Sequence, residues 1–370
     1  MPWSQTTVVE QREEFVRLAS QPQANIAELC RRNQISRKTG YKWLGRDSFE
    51  DRSRRPRASP SRTDEGLEAR VLALRDENPA WGARKIAHVL DRDQGVQLAP
   101  STVNSILKRN ARIEPQASEA PKAWQRFEHE EPNSLWQMDF KGHFATTEQR
   151  CHVLTVLDDH SRFNIVLAAL DNERTQGVQQ ALGAAFERYG LPERINTDNG
   201  PPWGDGGQGA LTELGAWLVR LGIRLGHSRP FHPQTNGKDE RFHRTLKAEV
   251  LARCHFHDVA HVQTHLTPWR HTYNCHRPHE ALQMQTPASR YRCSKRAMPK
   301  QLPPIEYETS DVVRRVQHGG WVSLKGQAFR VGGGLVGQPV ACRPLASEDG
   351  TFEIFFCHQK VMQISLKRSC

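Results

Sequence analysis

Apolar residues recur at helical spacing through residues 8–107, at strand spacing from about residue 135, and in short β-like runs after Val312. Val8 to Ala19 predicts a first helix, and the i, i+3, i+4 repeat of Ile26, Leu29 and Cys30 a second. The turn Asn33-Gln34-Ile35-Ser36 follows, with Ser36 placed to cap a helix running through Leu44. That helix carries Arg37, Lys38, Thr39 and Lys42, with Trp43 and Leu44 behind. This is the pattern of a DNA-binding helix-turn-helix, although a small bundle with solvated basic faces would look the same.

Arg46 to Arg62 holds six Arg and no apolar periodicity, so it reads as a linker that tracks phosphates or simply stays soluble. A second helical set follows. Leu67, Val71 and Leu74 form one stripe, Ile86, Val89 and Leu90 another, and Pro100-Ser101 opens a third helix with Val103, Ile106 and Leu107. Beyond a polar connector come three β-type runs, at Leu135–Phe144, Cys151–Leu157 and Phe163–Leu170. A helix at Thr175–Tyr189, a strand at Arg194–Thr197, a helix at Leu211–Leu221 and a strand at Arg224–His227 follow, then a long helix from Gly237 to about Arg253. This order implies a mixed five-stranded α/β sheet covered by helices. The last runs, punctuated at Gly319-Gly320, Gly332-Gly333-Gly334 and Asp349-Gly350, predict a small antiparallel β-barrel. The expected domains are a helix-turn-helix at 1–47, a basic linker at 48–63, a second helix-turn-helix at 64–112, a connector at 113–130, an α/β core at 131–300 and the barrel at 305–370.

Composition narrows the function classes. The 370 residues hold 52 Lys+Arg against 41 Asp+Glu, a formal charge of +11, so nucleic acid is the leading partner. A basic housekeeping enzyme would show the same balance. No apolar run approaches the ~20 residues that span a bilayer, so no membrane partner is expected. Met1 to Phe15, with Glu10, Glu13 and Glu14, lacks the apolar core of a secretory signal. Eight cysteines without a C-x-x-C pair argue against a disulfide scaffold or zinc ribbon, and suggest reduced thiols in a cytoplasm.

Three acids carry the candidate chemistry. Alternation along the first strand puts Trp136, Met138 and Phe140 on one face and Gln137, Asp139 and Lys141 on the other. A charge there costs several kcal/mol unless paired or metal-bound. Asp198 ends a strand of the α/β layer, where ligand sites form. Glu240 lies in the first turn of the long helix, which Phe242, Leu246 and Val250 dock on another side. Together the three can hold two divalent metals with hard oxygen ligands suited to Mg²⁺ or Mn²⁺. Two such ions, about 4 Å apart, drive in-line phosphoryl displacement. Any one of these acids alone is explained as well by a surface or capping role.

The strings Trp136-Gln137-Met138-Asp139, Asp158-Asp159-His160-Ser161-Arg162, Thr197-Asp198-Asn199-Gly200 and His232-Pro233-Gln234-Thr235-Asn236-Gly237-Lys238-Asp239-Glu240-Arg241-Phe242 resemble the core of DDE transposases in the retroviral-integrase superfamily, above all bacterial insertion-sequence transposases. Pro79-Ala80-Trp81-Gly82-Ala83-Arg84-Lys85-Ile86 and Tyr273-Asn274-Cys275-His276-Arg277-Pro278 add to the likeness. The resemblance implies a ribonuclease-H-like core with Asp139, Asp198 and Glu240 as its catalytic, metal-binding triad. It also implies two metal ions, 3′-end hydrolysis and strand transfer, with double-stranded DNA (terminal inverted repeats and target) as partner. At least a dimer is implied, working in a bacterial, nucleoid-associated cytoplasmic setting. Asp198 and Glu240 are 42 positions apart, more than is usual there, and the loop Trp203 to Gly209 accounts for the excess. The expected DNA contacts are Arg37, Lys38, Lys42, Arg52, Arg54, Arg55, Arg57, Arg84, Lys85, Arg244 and Lys247.

Asp158 and Asp159 compete for the second ligand position, against a reading in which they fix a turn. The glycine loop lacks a following Lys-Ser/Thr and is no nucleotide-binding loop. His261, His265, His271 and His276 with Cys275 show no recurring ligand spacing, so helical exposure or packing explains them better than zinc. Trp269 and Tyr273, four apart, read as core. The rival functions are a DNA-binding regulator with an inert core, and a ribonuclease, which leaves the N-terminal modules unexplained.

Overall fold

The computed structural model describes residues 7–52, 62–113, 128–204, 210–227 and 237–366. Arg54, Arg55 and Arg57, most of the expected connector, and the segments 205–209 and 228–236 lie outside them. The chain divides into two units at Asp64.

The first unit is three helices: α1 (Val8–Ala19), α2 (Ile26–Arg32) and α3 (Arg37–Leu44). Thr7 and Glu10 close a capping box on α1, Asn25 caps α2, and Ser36 accepts from the Thr39 amide at 3.1 Å to cap α3. Phe15, Ala19, Cys30 and Trp43 are buried. A Cβ at Gly40 would stand 2.6 Å from the Cys30 sulfur, so glycine is what lets α2 and α3 close on each other. Arg37, Lys38, Tyr41 and Lys42 remain exposed on α3, with Lys42 also reaching over the Trp43 ring.

The second unit opens with α4 (Glu65–Glu77), α5 (Ala83–Gln94) and α6 (Pro100–Arg109) around Val71, Trp81, Ile86, Leu90, Val103 and Ile106. Its sheet comprises β1 (Trp136–Ala145), β2 (Arg150–Asp158), β3 (Asn164–Leu170), β4 (Arg194–Thr197) and β5 (Arg224–His227), in the order β3-β2-β1-β4-β5. The first three strands pair antiparallel, while β4 runs parallel to both β1 and β5. Both faces are covered. On one, Trp136, Met138, Val156 and Ile195 meet α7 (Thr175–Tyr189) and α8 (Glu213–Arg220) through Leu182, Phe186, Leu214 and Leu218. On the other, Cys151, Val153, Leu157 and Leu167 meet α9 (Gly237–Leu246) and α10 (Val259–Cys275) through Phe242, Leu246, Val262 and Leu266. A short α11 (Pro287–Arg290) follows α10. The expected single helix from Gly237 to about Arg253 instead ends as α-helix at Leu246 and continues as a π-helical turn, Lys247–Leu251.

The C-terminal module departs from the expected barrel. Strands β6 (Val312–Arg315), β9 (Pro339–Pro344), β10 (Thr351–Phe356) and β11 (Gln359–Ser365) form a four-stranded antiparallel sheet, order β11-β10-β9-β6. Strands β7 (Trp321–Leu324) and β8 (Gln327–Arg330) pair only with each other among the named strands, so the sheets do not close. Closure is unnecessary because the inner faces are already buried. Val322 and Leu324 join Ile354, Phe356, Val340 and, from α8, Ala216 and Val219 in one cluster.

Candidate active site

Asp139 sits mid-strand on β1 opposite Thr155 of β2, on the α9 side of the sheet as alternation predicts. Its side chain keeps 25% exposure, yet burial and then the charge of Asp198 push its carboxyl up to about 7. Asp198 follows β4, and its Oδ1 accepts from the Gly200 amide at 2.9 Å and from the Trp203 indole. Trp203 in turn stacks on Phe140 at 5.1 Å. Because β1 and β4 are parallel neighbours in the middle of the sheet, with Gln137 opposite Asn196, the strand-interior acid and the strand-end acid come two residues further along at matching positions.

The helix contributes differently from expectation. Glu240 is exposed, whereas Asp239 is 1% exposed. Both Asp239 oxygens are buried without a hydrogen-bond partner. Burial, then the charges of Asp139 and Asp159, raise its carboxyl well above the usual range. Two contacts set this helical phase. Phe242 and Leu246 dock into the sheet, and Lys238 pairs with Asp159 and donates to its carbonyl at 3.1 Å. Asp239 shares the face of Phe242 and Leu246 at i, i+3, i+7, a spacing legible in the sequence.

His243, also absent from the expected site, lies one turn further along. Its Nε2 is 2.8 Å from the Thr155 hydroxyl, which donates to the Asp139 carbonyl at 3.0 Å, and its Nδ1 is 4.0 Å from Asp139 Oδ2. Burial and the nearby Lys141 lower its pKa to about 4, so it is neutral and donates through Nε2.

Asp158 and Asp159 serve structure. Asp158 accepts from the amides of Asn133 and Ser161 and from the Ser161 hydroxyl, at 2.7, 2.8 and 2.5 Å. Asp159 accepts from the His129 amide and from Gln137, besides holding Lys238. Asp158 thus fixes the turn at Ser161, while the partners of Asp159 lie on other segments.

Of the expected cations, Arg37, Lys38, Arg52, Arg244 and Lys247 are exposed. Arg84 is exposed as well, whereas Lys85 is half-buried. Arg84 lies 3.7 Å from Glu280, and Lys85, lowered to about 8 by burial and by Arg277, packs near Glu249 and Glu280. Glu249 itself is held by Trp269 at 2.8 Å and Arg277 at 3.1 Å. Cys254, His265 and His261 form a chain, 3.8 and 3.2 Å between successive members, not a ring around one point. Among the described residues, no three His, Cys, Asp or Glu side chains converge as a ready metal cage, the acidic site included. No helix among them is long and apolar enough to cross a membrane.

Donor chemistry nevertheless suits a hard divalent cation at Asp139. Two facing carboxylates repel each other, and a third, Asp239, is buried beside them with unpartnered oxygens.

The antiparallel-then-parallel sheet with helices on both faces is the integrase catalytic core arrangement, related to ribonuclease H. Residues 129–233 and 221–287 match two families each described as integrase core domain. Residues 39–107 match a homeodomain-like domain, and residues 311–369 the IS481 family transposase C-terminal domain. Models of a homeodomain-like domain, an integrase core and an IS481 transposase C-terminal domain thus match in succession along the chain, and proteins of bacterial insertion elements are among its relatives. It is 26% identical over 242 residues to an uncharacterized 31.7 kDa protein of insertion element IS407 from Burkholderia multivorans, covering 62% of this chain and 82% of that one. It is 29% identical over 157 residues to an uncharacterized 39.2 kDa protein of element IS476 from Xanthomonas euvesicatoria, covering 42% and 44%. Among solved structures, the simian T-cell lymphotropic virus intasome is similar at 16% identity and a TM-score of 0.41, covering 80% of this chain and 96% of that one.

Proposed function

We propose that this protein is an active DNA transposase, with Asp139 and Asp198 joined by Glu240 of α9 as its metal-binding, catalytic carboxylates. The observation that carries this reading is the pairing across β1 and β4, where the charge of Asp198 helps raise Asp139. When bound, two Mg²⁺ or Mn²⁺ ions supply activation of the attacking oxygen and stabilisation of the departing one. The chain's own residues do the positioning. Gly200 and Trp203 orient the Asp198 carboxylate, and neutral His243 braces Thr155 and the Asp139 backbone. Glu240 stands exposed on α9, open to the solvent from which DNA arrives.

The substrate is the element's own terminal inverted repeats, bound by Arg37, Lys38 and Lys42 of α3, with Arg52, Arg54, Arg55 and Arg57 following phosphates. The 3′-end phosphodiester is hydrolysed, and the freed 3′-hydroxyl then attacks a phosphodiester of target DNA. One phosphodiester replaces another in that second step, so no ATP is consumed. Two ends must be held together, which requires at least a dimer. Arg244 and Lys247, within about 40° of Glu240 on the helical wheel, hold substrate phosphates. Arg84, exposed on α5, belongs with the DNA-contacting cations, while the half-buried Lys85 fits a role in seating the second helical module on the core. The domain limits 1–47, 64–112 and 131–300, and a bacterial cytoplasmic, nucleoid-associated setting, belong to the same reading.

The exposed Glu240 favours one rival, a DNA-binding regulator whose core is inert. Incubating the purified protein with Mg²⁺ and a plasmid carrying candidate element ends separates the two. Nicks at those ends, lost in Asp139→Asn, support the transposase; end binding without nicking supports the regulator.

A further inference from the structure

Beyond Asp139, β1 is interrupted. Its pairing with β2 slips between Phe140 and His143, and Gly142 takes a φ of 81°, the signature of a bulge that re-aims neighbouring side chains. Past the bulge, the end of β1, the π-helical turn after α9 and the loop following it wall a cleft of about 610 Å³. Lys141, His143, Lys247, Arg253 and His255 line it, and among the described residues no Asp or Glu does.

The cleft has a defined near end and far end. Lys141 lies close enough to Asp139 and to His243 for its charge to act on both. At the other end, Arg253 donates from Nε to the Ala248 carbonyl at 2.8 Å, and its charge opposes that of Arg75 on α4. The cations thus lead from the reactive carboxylates to the second helical module. Among the described residues, the acid of the π-helical turn, Glu249, is turned away to Trp269 and Arg277 instead of pairing with Lys247. Cations gathered along one cleft repel one another, and a polyanion lying along them removes that cost. A π-helical turn, a form found mostly at functional sites, presents Lys247 to the cleft.

We propose that this cleft is a phosphodiester track that leads one DNA strand away from the bond being cut, between Asp139 and the second helical module. The proposal rests on the transposase reading above and adds Lys141, Arg253, His143 and His255 to the DNA-contacting residues.

The test uses the full chain, a duplex carrying a candidate element end, and a random duplex of equal length. Lys141→Ala/Arg253→Ala should lower the slope of log affinity against log salt by about 1.8 on both duplexes, because each phosphate contact contributes about 0.9 whatever the sequence. Arg37→Ala/Lys38→Ala should instead erode preference for the element end. An Arg253→Cys protein should form a disulfide with duplexes bearing a thiol tether on single phosphates near the cleaved bond, and not with distant tethers. Unchanged salt slope with no tether captured, in variants that melt like the parent, overturns the track. If the parent never nicks DNA while the slope loss and the capture persist, the transposase reading falls and the nucleic-acid cleft stands.

Discussion

Asp239→Asn should stabilise this protein near neutral pH and leave it unchanged in acid. The wild-type carboxyl is fully enclosed, neither oxygen has a partner, and its pKa is raised by burial and by Asp139. A carboxyl whose folded pKa is raised carries no penalty below its unfolded value of about 3.9. As pH rises from there toward the folded pKa, the unfolded chain releases a proton that the folded chain retains. Stability therefore falls by about 1.4 kcal/mol per pH unit. Asparagine has the same shape and no charge, so it replaces a neutral acid nearly evenly at pH 4.5 and escapes the loss above it. The expected gain grows as pH rises through this window, and each kcal/mol of it would raise the melting transition by about 2–4 °C. Urea unfolding in EDTA at pH 4.5, 5.5, 6.5 and 7.5 measures it, with pulsed hydrogen exchange of peptides from β1 and β2 to isolate the core transition. Curves for the two proteins that run parallel across this range, or an asparagine variant less stable at pH 6.5, would refute the reasoning.

Other outcomes follow from the same geometry. Asp139→Asn, Asp198→Asn and Glu240→Gln should each abolish Mg²⁺-dependent end nicking while end binding in gel-shift assays stays within about twofold, because metal positioning and DNA docking use different residues. Mn²⁺ should raise the melting temperature more at pH 8 than at pH 5.5. Asp139, raised to about 7, holds a proton below that pH and must lose it to bind metal, so equal shifts at both pH values would count against Asp139 as a ligand. Glu249→Ala should destabilise the second unit by about 3–5 kcal/mol in urea melts, since it strands the buried Arg277 guanidinium. Replacing Gly334 with Ala should lower the melting temperature, because a Cβ there would lie 2.2 Å from the Thr212 backbone.

Periodicity alone determined most of the elements. Strict alternation in β1 assigned Asp139 to the face opposite Trp136 and Met138, and Ser36 marked the start of α3, because both signals are local to a few residues. The position of Asp198 at a strand end was legible for the same reason. What stayed hidden depends on contacts between distant segments. Whether position 239 or 240 turns inward is a matter of about 100° of helical phase, and Lys238 gripping Asp159 together with Phe242 and Leu246 in the sheet decided it. Lys85 reads as open as its neighbour Arg84 until the fold brings Glu280 and Arg277, almost two hundred residues on, against it. The C-terminal strands carry the pattern of a barrel, yet α8 covers their inner face and removes the need to close. Sequence period states which side of an element is apolar; only the packed tertiary structure decides which charges that packing traps, pairs or leaves free.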